Sequence, residues 1–162
     1  TEDTTVTFTA SDFTSAYSDP EGTALSSVTI STLPATGTLK LSGVDVVAGQ
    51  VISAANLANL TYVPAADANG AVTFTITASD GSLSSSSATV TLNIAAVNDA
   101  PVLATGSTLN YTENGAAAAI NTSITVSDVD NATLSTATVS ITSGFASGQD
   151  VLSFTNVPAT MG

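Results

Sequence analysis

Apolar and polar residues alternate with a period of two along much of the chain, most regularly in two segments. In the first segment, apolar residues stand at every second position from Val72 to Ala78, with Thr between them. The second segment repeats the pattern from Ala88 to Ile94. Because successive side chains of a strand point to opposite faces, the pattern predicts two half-buried β-strands. The Asp80-Gly81-Ser82 cluster between the segments predicts a turn.

Shorter alternations predict additional short strands. They lie at Val6/Phe8/Ala10, Val28/Ile30, Leu39/Leu41, Tyr62/Val63, Ile124/Val126, Val139/Ile141 and Leu152/Phe154. Many short strands separated by Gly, Pro, Asn and Asp favour an all-β fold, a β-sandwich. Only the segment from Ser53 to Leu60 has helical spacing, and there we expect a brief surface turn.

A domain boundary is predicted in the segment Ala96-Val97-Asn98-Asp99-Ala100-Pro101. Proline disfavours helix at the residue before it and cannot donate to a sheet ladder. We therefore expect one β-sandwich over residues 1–98 and the N-terminal part of a second over residues 99–162.

An internal repeat supports this division. The matching segments are Thr1-Glu2-Asp3 with Thr112-Glu113-Asn114, Ser18-Asp19-Pro20-Glu21 with Ser127-Asp128-Val129-Asp130, and Leu25-Ser26 with Leu134-Ser135. The period of about 110 residues is typical of a sandwich domain. The second copy has a strand between Val102 and Tyr111 ahead of its Glu113, and we expect the first copy to lack this first strand.

Composition narrows the possible functions. The formal net charge is −12, with 13 acidic residues, Lys40 as the only basic one, and neither His nor Cys. Such a charge repels nucleic acid and anionic membranes, and no apolar run is long enough for membrane insertion. Nucleophilic triads need a base such as His or Lys, and phosphoryl transfer needs cationic side chains; the chain has one Lys and no His or Arg, so we expect no enzyme. Metal binding is left to oxygen ligands, which suit Ca²⁺.

Several motifs together carry a resemblance to a known family. In chain order they are Ser18-Asp19-Pro20-Glu21-Gly22, Pro64-Ala65-Ala66-Asp67-Ala68-Asn69-Gly70, Ala78-Ser79-Asp80-Gly81 and Val97-Asn98-Asp99-Ala100-Pro101. The sequence resembles the cadherin-like (Ig-like β-sandwich) tandem repeats of large bacterial surface adhesins. This resemblance implies an all-β, Ig-like or cadherin-like Greek-key β-sandwich, present as one nearly complete domain and the first part of a second. It also implies a secreted, extracellular protein of the cell surface.

Strand directions in a seven-stranded sandwich sort the acidic residues into two groups. We predict that one group holds calcium at the junction between the two domains: Glu2, Asp67, Asn98, Asp99, Asp128 and Asp130. A second calcium group is predicted at the opposite end of the first domain: Asp19, Glu21 and Asp80. The resemblance implies a similar junction, since cadherin-like linkers use a loop Glu, an Asn-Asp pair and an Asp-x-Asp. Ala96 stands where the richest version of that pattern has another Asp, so we expect few ions.

A simpler interpretation of any single acid is a solvated turn former, since Asp and Asn are common turn residues. We adopt that interpretation for Asp45 and Asp150, and leave Asp3 and Asp12 open.

Three functional hypotheses follow. The first is a calcium-rigidified stalk or spacer of an adhesin, with flanking repeats or neighbouring copies as partners. The second is a carbohydrate-binding module that recognises a surface glycan through its exposed loops, or through the surfaces of Tyr17 and Tyr62. The third is a filament subunit that completes its sheet with a strand from the next molecule.

Overall fold

The structure is a computed structural model that describes residues 1–104, 106, 108–121 and 124–153. The chain divides into two compact units, Thr1–Val97 and Asn98–Gly162.

The first unit is a β-sandwich of two four-stranded antiparallel sheets. In chain order its strands are β1 (Val6–Thr7), β2 (Ser27–Thr32), β3 (Thr38–Leu41), β4 (Val44–Asp45), β5 (Val51–Ser53), β6 (Leu60–Val63), β7 (Gly70–Ser79) and β8 (Ala88–Ile94). One sheet has the order β1-β6-β3-β4 and the other the order β5-β2-β7-β8. The predicted fold class, an all-β Ig-like sandwich, is confirmed.

The two most regular alternations form the longest strands. β7 and β8 pair antiparallel, with Phe74 opposite Val90 and Val72 opposite Leu92. Val72 and Phe74 are buried while Thr73 between them is exposed, as the period of two requires.

The core of the first unit is built from side chains of both sheets. The Phe8 ring lies 6.0 Å from the Phe74 ring in an edge-on arrangement and 5.6 Å from the Phe13 ring. Tilted and edge-on aromatic pairs at such distances stabilise a core beyond their area burial. The buried apolar residues are Phe8, Phe13, Val28, Ile30, Leu39, Val46, Ile52, Leu57, Leu60, Tyr62, Val72, Phe74 and Ile94.

The prediction at Val6/Phe8/Ala10 is only partly right, because β1 ends at Thr7 and a short helix, α1, spans Ala10–Thr14. An Asp12 carboxylate oxygen accepts a hydrogen bond from the Thr9 N–H at 2.7 Å, which favours a helical turn over an extended strand. The helix places Phe13 in the core.

The expected turn near Ser53 to Leu60 is a 3-10 helix at Ala54–Asn59. Its description as a surface turn was wrong in one respect. Leu57 and Leu60 are both 0% exposed, so this connection contributes to the core.

In the second unit, β9 (Val102–Ala104) pairs antiparallel with β10 (Thr125–Ser127). The predicted strand at Val139/Ile141 does not form a strand. Of the predicted strand at Leu152/Phe154, Leu152 is not in a strand, and Phe154 lies outside the described residues. Among the described residues, no helix is long and apolar enough to cross a membrane.

Candidate metal centre

Glu2 is the one buried charged residue of the first unit, at 2% exposure. One of its carboxylate oxygens accepts the Val97 N–H, and the other accepts the Asn69 side-chain amide at 3.3 Å. The Glu2 N–H in turn donates to the Ala95 carbonyl at 2.9 Å. Residues near both ends of the unit's sequence are therefore joined around one carboxylate.

Asp3 and Asp67 place two further carboxylates close together. The Asp67 N–H donates to Asp3 Oδ1 at 3.2 Å, and a carboxylate oxygen of each residue lies within 4.8 Å of one from the other. Both residues have positive φ angles, 55° and 57°, which Asp tolerates better than most residues. Two carboxylates this close repel each other by roughly 1–4 kcal/mol at effective dielectrics between those of water and a protein surface.

In the second unit, Asp99 lies close to Asp130 of the Asp-x-Asp loop. The Asp99 N–H donates to Asp130 Oδ2 at 2.6 Å, and carboxylate oxygens of these two residues also lie within 4.8 Å of each other. The linker residue Asp99 is thereby held against the Asp-x-Asp loop.

Asp128 organises that loop. Its Oδ1 accepts the N–H groups of Asp130 at 3.0 Å and Asn131 at 2.7 Å. The Asn131 side-chain amide donates to Asn98 Oδ1 at 2.9 Å and to Asp128 Oδ1 at 3.2 Å. One hydrogen-bonded group thus contains Asn98, Asp99, Asp128, Asp130 and Asn131. All of them except Asn131 are predicted calcium ligands.

The residues predicted at the other end of the first unit are arranged differently. Asp19 Oδ1 accepts the N–H groups of Glu21 at 3.0 Å and Thr23 at 2.8 Å, and Asp80 Oδ1 accepts those of Ser82 at 2.6 Å and Leu83 at 2.7 Å. These are the bonds of turn-forming aspartates. Within the part of the chain that the structure describes, Asp19, Glu21 and Asp80 do not bring their carboxylate oxygens together as a group of three.

Electrostatics nevertheless connect two of these residues. Partial burial raises the pKa of the Tyr17 hydroxyl, and the negative charges of Asp19 and Asp80 raise it further. The backbone N–H groups of Leu83 and Ser82 hold the pKa of Asp80 below its ordinary value. Asp80 is thus a stable anion near Tyr17.

Of the two acids interpreted as solvated turn formers, Asp150 lies in a turn, whereas Asp45 is an exposed residue of strand β4. Asp45 forms an ion pair with Lys40, its neighbour across the β3–β4 pair. Asp150 Oδ2 accepts the Ala146 N–H at 2.6 Å and closes a turn.

Sequence reasoning left Asp3 open and missed Asn69 and Asn131 as members of these groups. Asn69 lies in the same loop motif as Asp67, and Asn131 follows Asp130 directly. Their proximity along the chain to predicted ligands was the available signal. All the groups offer only oxygen ligands and amide donors, a set that suits a hard divalent cation better than a transition metal.

Comparison with known proteins matches residues 1–93 to the family described as "Bacterial Ig domain". No curated protein and no solved structure matches the chain. The family match covers more than half of the sequence and both sheets of the first unit except Ile94, the last residue of β8. The chain belongs to the family of bacterial Ig domains.

Proposed function

We propose that the chain is a non-catalytic spacer of an extracellular surface adhesin, and that calcium bound at the ends of its domains stiffens it. The observation that carries this proposal is the burial of the Glu2 carboxylate, at 2% exposure, with an amide side chain and a backbone N–H as its partners. Burying a carboxylate is costly unless it is paired or bound to a metal. The only basic side chain of the chain, Lys40, is already paired with Asp45.

The acids near Glu2 in the sequence and fold support a cation there. Asp3 and Asp67 have carboxylate oxygens within 4.8 Å of each other, and neither has a basic partner. A divalent ion would replace their mutual repulsion with attraction to a common charge. Asp3 and Asp67 are therefore proposed as a ligand pair in the first unit, and Glu2 as a further ligand outside that pair.

The second unit offers a parallel set in Asp99, Asp128 and Asp130. Calcium binds six to eight oxygens, and acids at i and i+2 of a loop can point towards one centre. That this set and the Glu2 set share ions at the junction, with Asn98 among the ligands, remains a prediction from the sequence.

The adhesin role is supported by the family and by the sequence motifs of the loops and the linker. Membership of the bacterial Ig domains favours a structural repeat, and the resemblance of the linker and loop motifs to cadherin-like repeats favours a tandem array on the cell surface. Flanking repeats are the partners that this role requires. Few ions and weak binding, near the ~10⁻⁴–10⁻³ M of extracellular calcium modules, are expected.

Thermal unfolding of the full chain with millimolar calcium and with chelator tests the proposal. Calcium should raise the melting temperature of the parent chain, and Asp99→Ala and Asp128→Ala should each reduce that rise. Asp45→Ala is the matched control, because Asp45 is an exposed acid in an ion pair elsewhere. If the parent chain melts at the same temperature in calcium and in chelator, the proposed calcium ligands are wrong.

A further inference from the structure

Asn69 and Gly70 form one of the two Asn-Gly pairs of the sequence, and Asn69 also contacts the buried carboxylate of the first unit. The other pair is Asn114-Gly115 in the second unit. In such a pair the backbone nitrogen of glycine can reach the side-chain amide carbon of asparagine, because glycine has no Cβ to hinder the approach. Both pairs are therefore chemically capable of losing the asparagine amide without an enzyme.

This reaction, deamidation, needs only water as a co-reactant. The glycine nitrogen forms a bond to the asparagine Cγ, while the bond from Cγ to the amide nitrogen breaks. The glycine N–H proton leaves with the amide nitrogen as ammonia, and a cyclic imide remains. Water then opens the imide at either of its carbonyl carbons. The product is aspartate or isoaspartate, in which the main chain runs through the former side chain.

The surroundings of Asn69 suit this reaction. Asn69 is exposed to water and lies between the turn at Asp67 and strand β7, outside both. Gly70 and Ile94 form the terminal pair of the β7–β8 ladder, and the ends of an element open at little cost. The Asn69 amide is held loosely, because its Nδ2 lies 3.3 Å from Glu2 Oε2, beyond the usual ~2.7–3.2 Å of such a bond.

Loss of this amide matters because of the carboxylate beside it. Glu2 is 2% exposed, and its two carboxylate oxygens accept the Val97 N–H and the Asn69 amide. Deamidation replaces the amide donor with a carboxylate, which cannot donate, and brings a second negative charge close to the first. A buried carboxylate that loses a partner in this way destabilises the fold.

We propose that Asn69 is a site of spontaneous deamidation, and that the reaction weakens the first unit by removing the amide partner of Glu2. Because no step needs an enzyme, the share of weakened domains rises with the age of the protein. Asn114 offers an internal comparison, since it is exposed and its Asn-Gly pair belongs to the other unit. Deamidation of Asn114 should leave the stability of the first unit unchanged.

A consequence for metal binding rests on the proposed function. Deamidation adds carboxylate oxygens to the loop that contains Asp67, and a divalent cation bound there would be attracted to the added charge. Calcium should therefore offset the loss of stability in the deamidated chain. If the loss occurs in chelator and calcium does not offset it, the proposed calcium ligands are wrong, while the modification site stands.

Peptide mapping of the aged full chain tests the modification. The protein is incubated in chelator at mildly alkaline pH and digested with pepsin, because Lys40 is the only site for trypsin. In mass spectrometry, the peptide that contains Asn69 should gain the mass that replacement of an amide by a carboxylate requires. Asn69→Gln, whose longer side chain disfavours ring closure, should show no gain at this position. An Asn69 peptide of unchanged mass in the aged parent chain would overturn the proposal.

Urea unfolding of the full chain in chelator tests the link to Glu2. Asn69→Asp should lower the stability of the first unit, whereas Asn114→Asp, the same substitution in the other Asn-Gly pair, should not. Ageing should lower it in the parent chain but not in Asn69→Gln, a comparison that holds even if Asn69→Asp does not fold. Equal stability of the first unit in Asn69→Asp and the parent chain would contradict the proposed weakening.

Discussion

The backbone N–H of Asp99 donates to the Asp130 carboxylate at 2.6 Å, across 31 positions of the chain. This bond holds the first residues after the predicted domain boundary against the Asp-x-Asp loop. A linker residue fixed in this way carries less conformational freedom than an ordinary connecting segment. The same carboxylate belongs to the set proposed to bind calcium, so order in the linker and metal binding should depend on each other.

Asp130→Ala should therefore loosen the linker even when calcium is absent. Loss of the acceptor should reduce protection of the Asp99 amide against hydrogen exchange and lower the stability of the second unit by about 1 kcal/mol. Asp150→Ala is the control, because it removes a similar backbone-to-carboxylate bond at Ala146. The expectation fails if the Asp99 amide exchanges equally fast in both variants.

Glu2→Gln should have different effects with and without calcium. In chelator, the lower cost of burying a neutral amide offsets the loss of one of the two acceptor oxygens that Val97 and Asn69 use, so the stability of the first unit should change little. In calcium, the variant should lose most of the calcium-dependent gain, because a ligand charge is gone. Urea unfolding in both conditions measures the two differences.

The matched control is Glu113→Gln, the same substitution at the equivalent position of the second copy, where the residue is exposed. It should change little in either condition. A loss of stability in chelator for Glu2→Gln, as large as that in calcium, would show that the carboxylate acts by itself and needs no cation.

Gly37 occupies a position where a side chain has no room. Its φ is +69°, and a Cβ there would lie 2.4 Å from the Tyr62 hydroxyl and 2.6 Å from the Val63 carbonyl. Gly37→Ala should cost the roughly 1–2 kcal/mol of a left-handed residue and a further ~1–3 kcal/mol for overpacking. Gly43→Ala, at φ +84° with open space around it, should cost only the first part. Equal losses in denaturant unfolding would refute the predicted clash.

Asp80 should make the first unit sensitive to acid. The N–H groups of Leu83 and Ser82 lower its folded pKa, so its stabilising contribution is fully present above the pKa of an unfolded Asp. That contribution is lost as the pH falls below about 4 towards the folded value. Asp80→Asn should flatten this part of the stability curve, as measured by urea unfolding between neutral and acid pH. If the stability of Asp80→Asn falls in acid as steeply as that of the parent chain, the acid sensitivity does not come from Asp80.

The sandwich could be predicted because its signal is local. The alternation in β7 and β8 and the turn at Asp80 specify strands and a hairpin without knowledge of distant residues. Helix α1 was missed because a single bond from the Thr9 N–H to Asp12 outweighs an alternation of only three apolar positions. The burial of Leu57 was missed because a short connection shows no periodicity that would place it inside.

The metal-binding candidates could be predicted only in part for a similar reason. Repeated acids such as Asp128 and Asp130 are visible as a motif, and the structure joins Asp130 to Asp99 as a group within the second unit. The contact between Asp3 and Asp67 depends on how two distant loops meet, which no local pattern reports. A motif visible in the sequence does not always form such a group. In the first copy, the Asp-x-acid motif at Asp19 and Glu21 makes the hydrogen bonds of an ordinary turn.

Calcium titration of the isotopically labelled full chain, followed through its backbone amide signals, tests the proposed metal binding most directly. The amides of Asp67 and Asp99 should shift in a saturable way with a half-point near ~10⁻⁴–10⁻³ M, while that of Asp45 should not move. Small, linear shifts spread evenly over all acidic residues would mean that calcium only screens the surface, and would contradict the account.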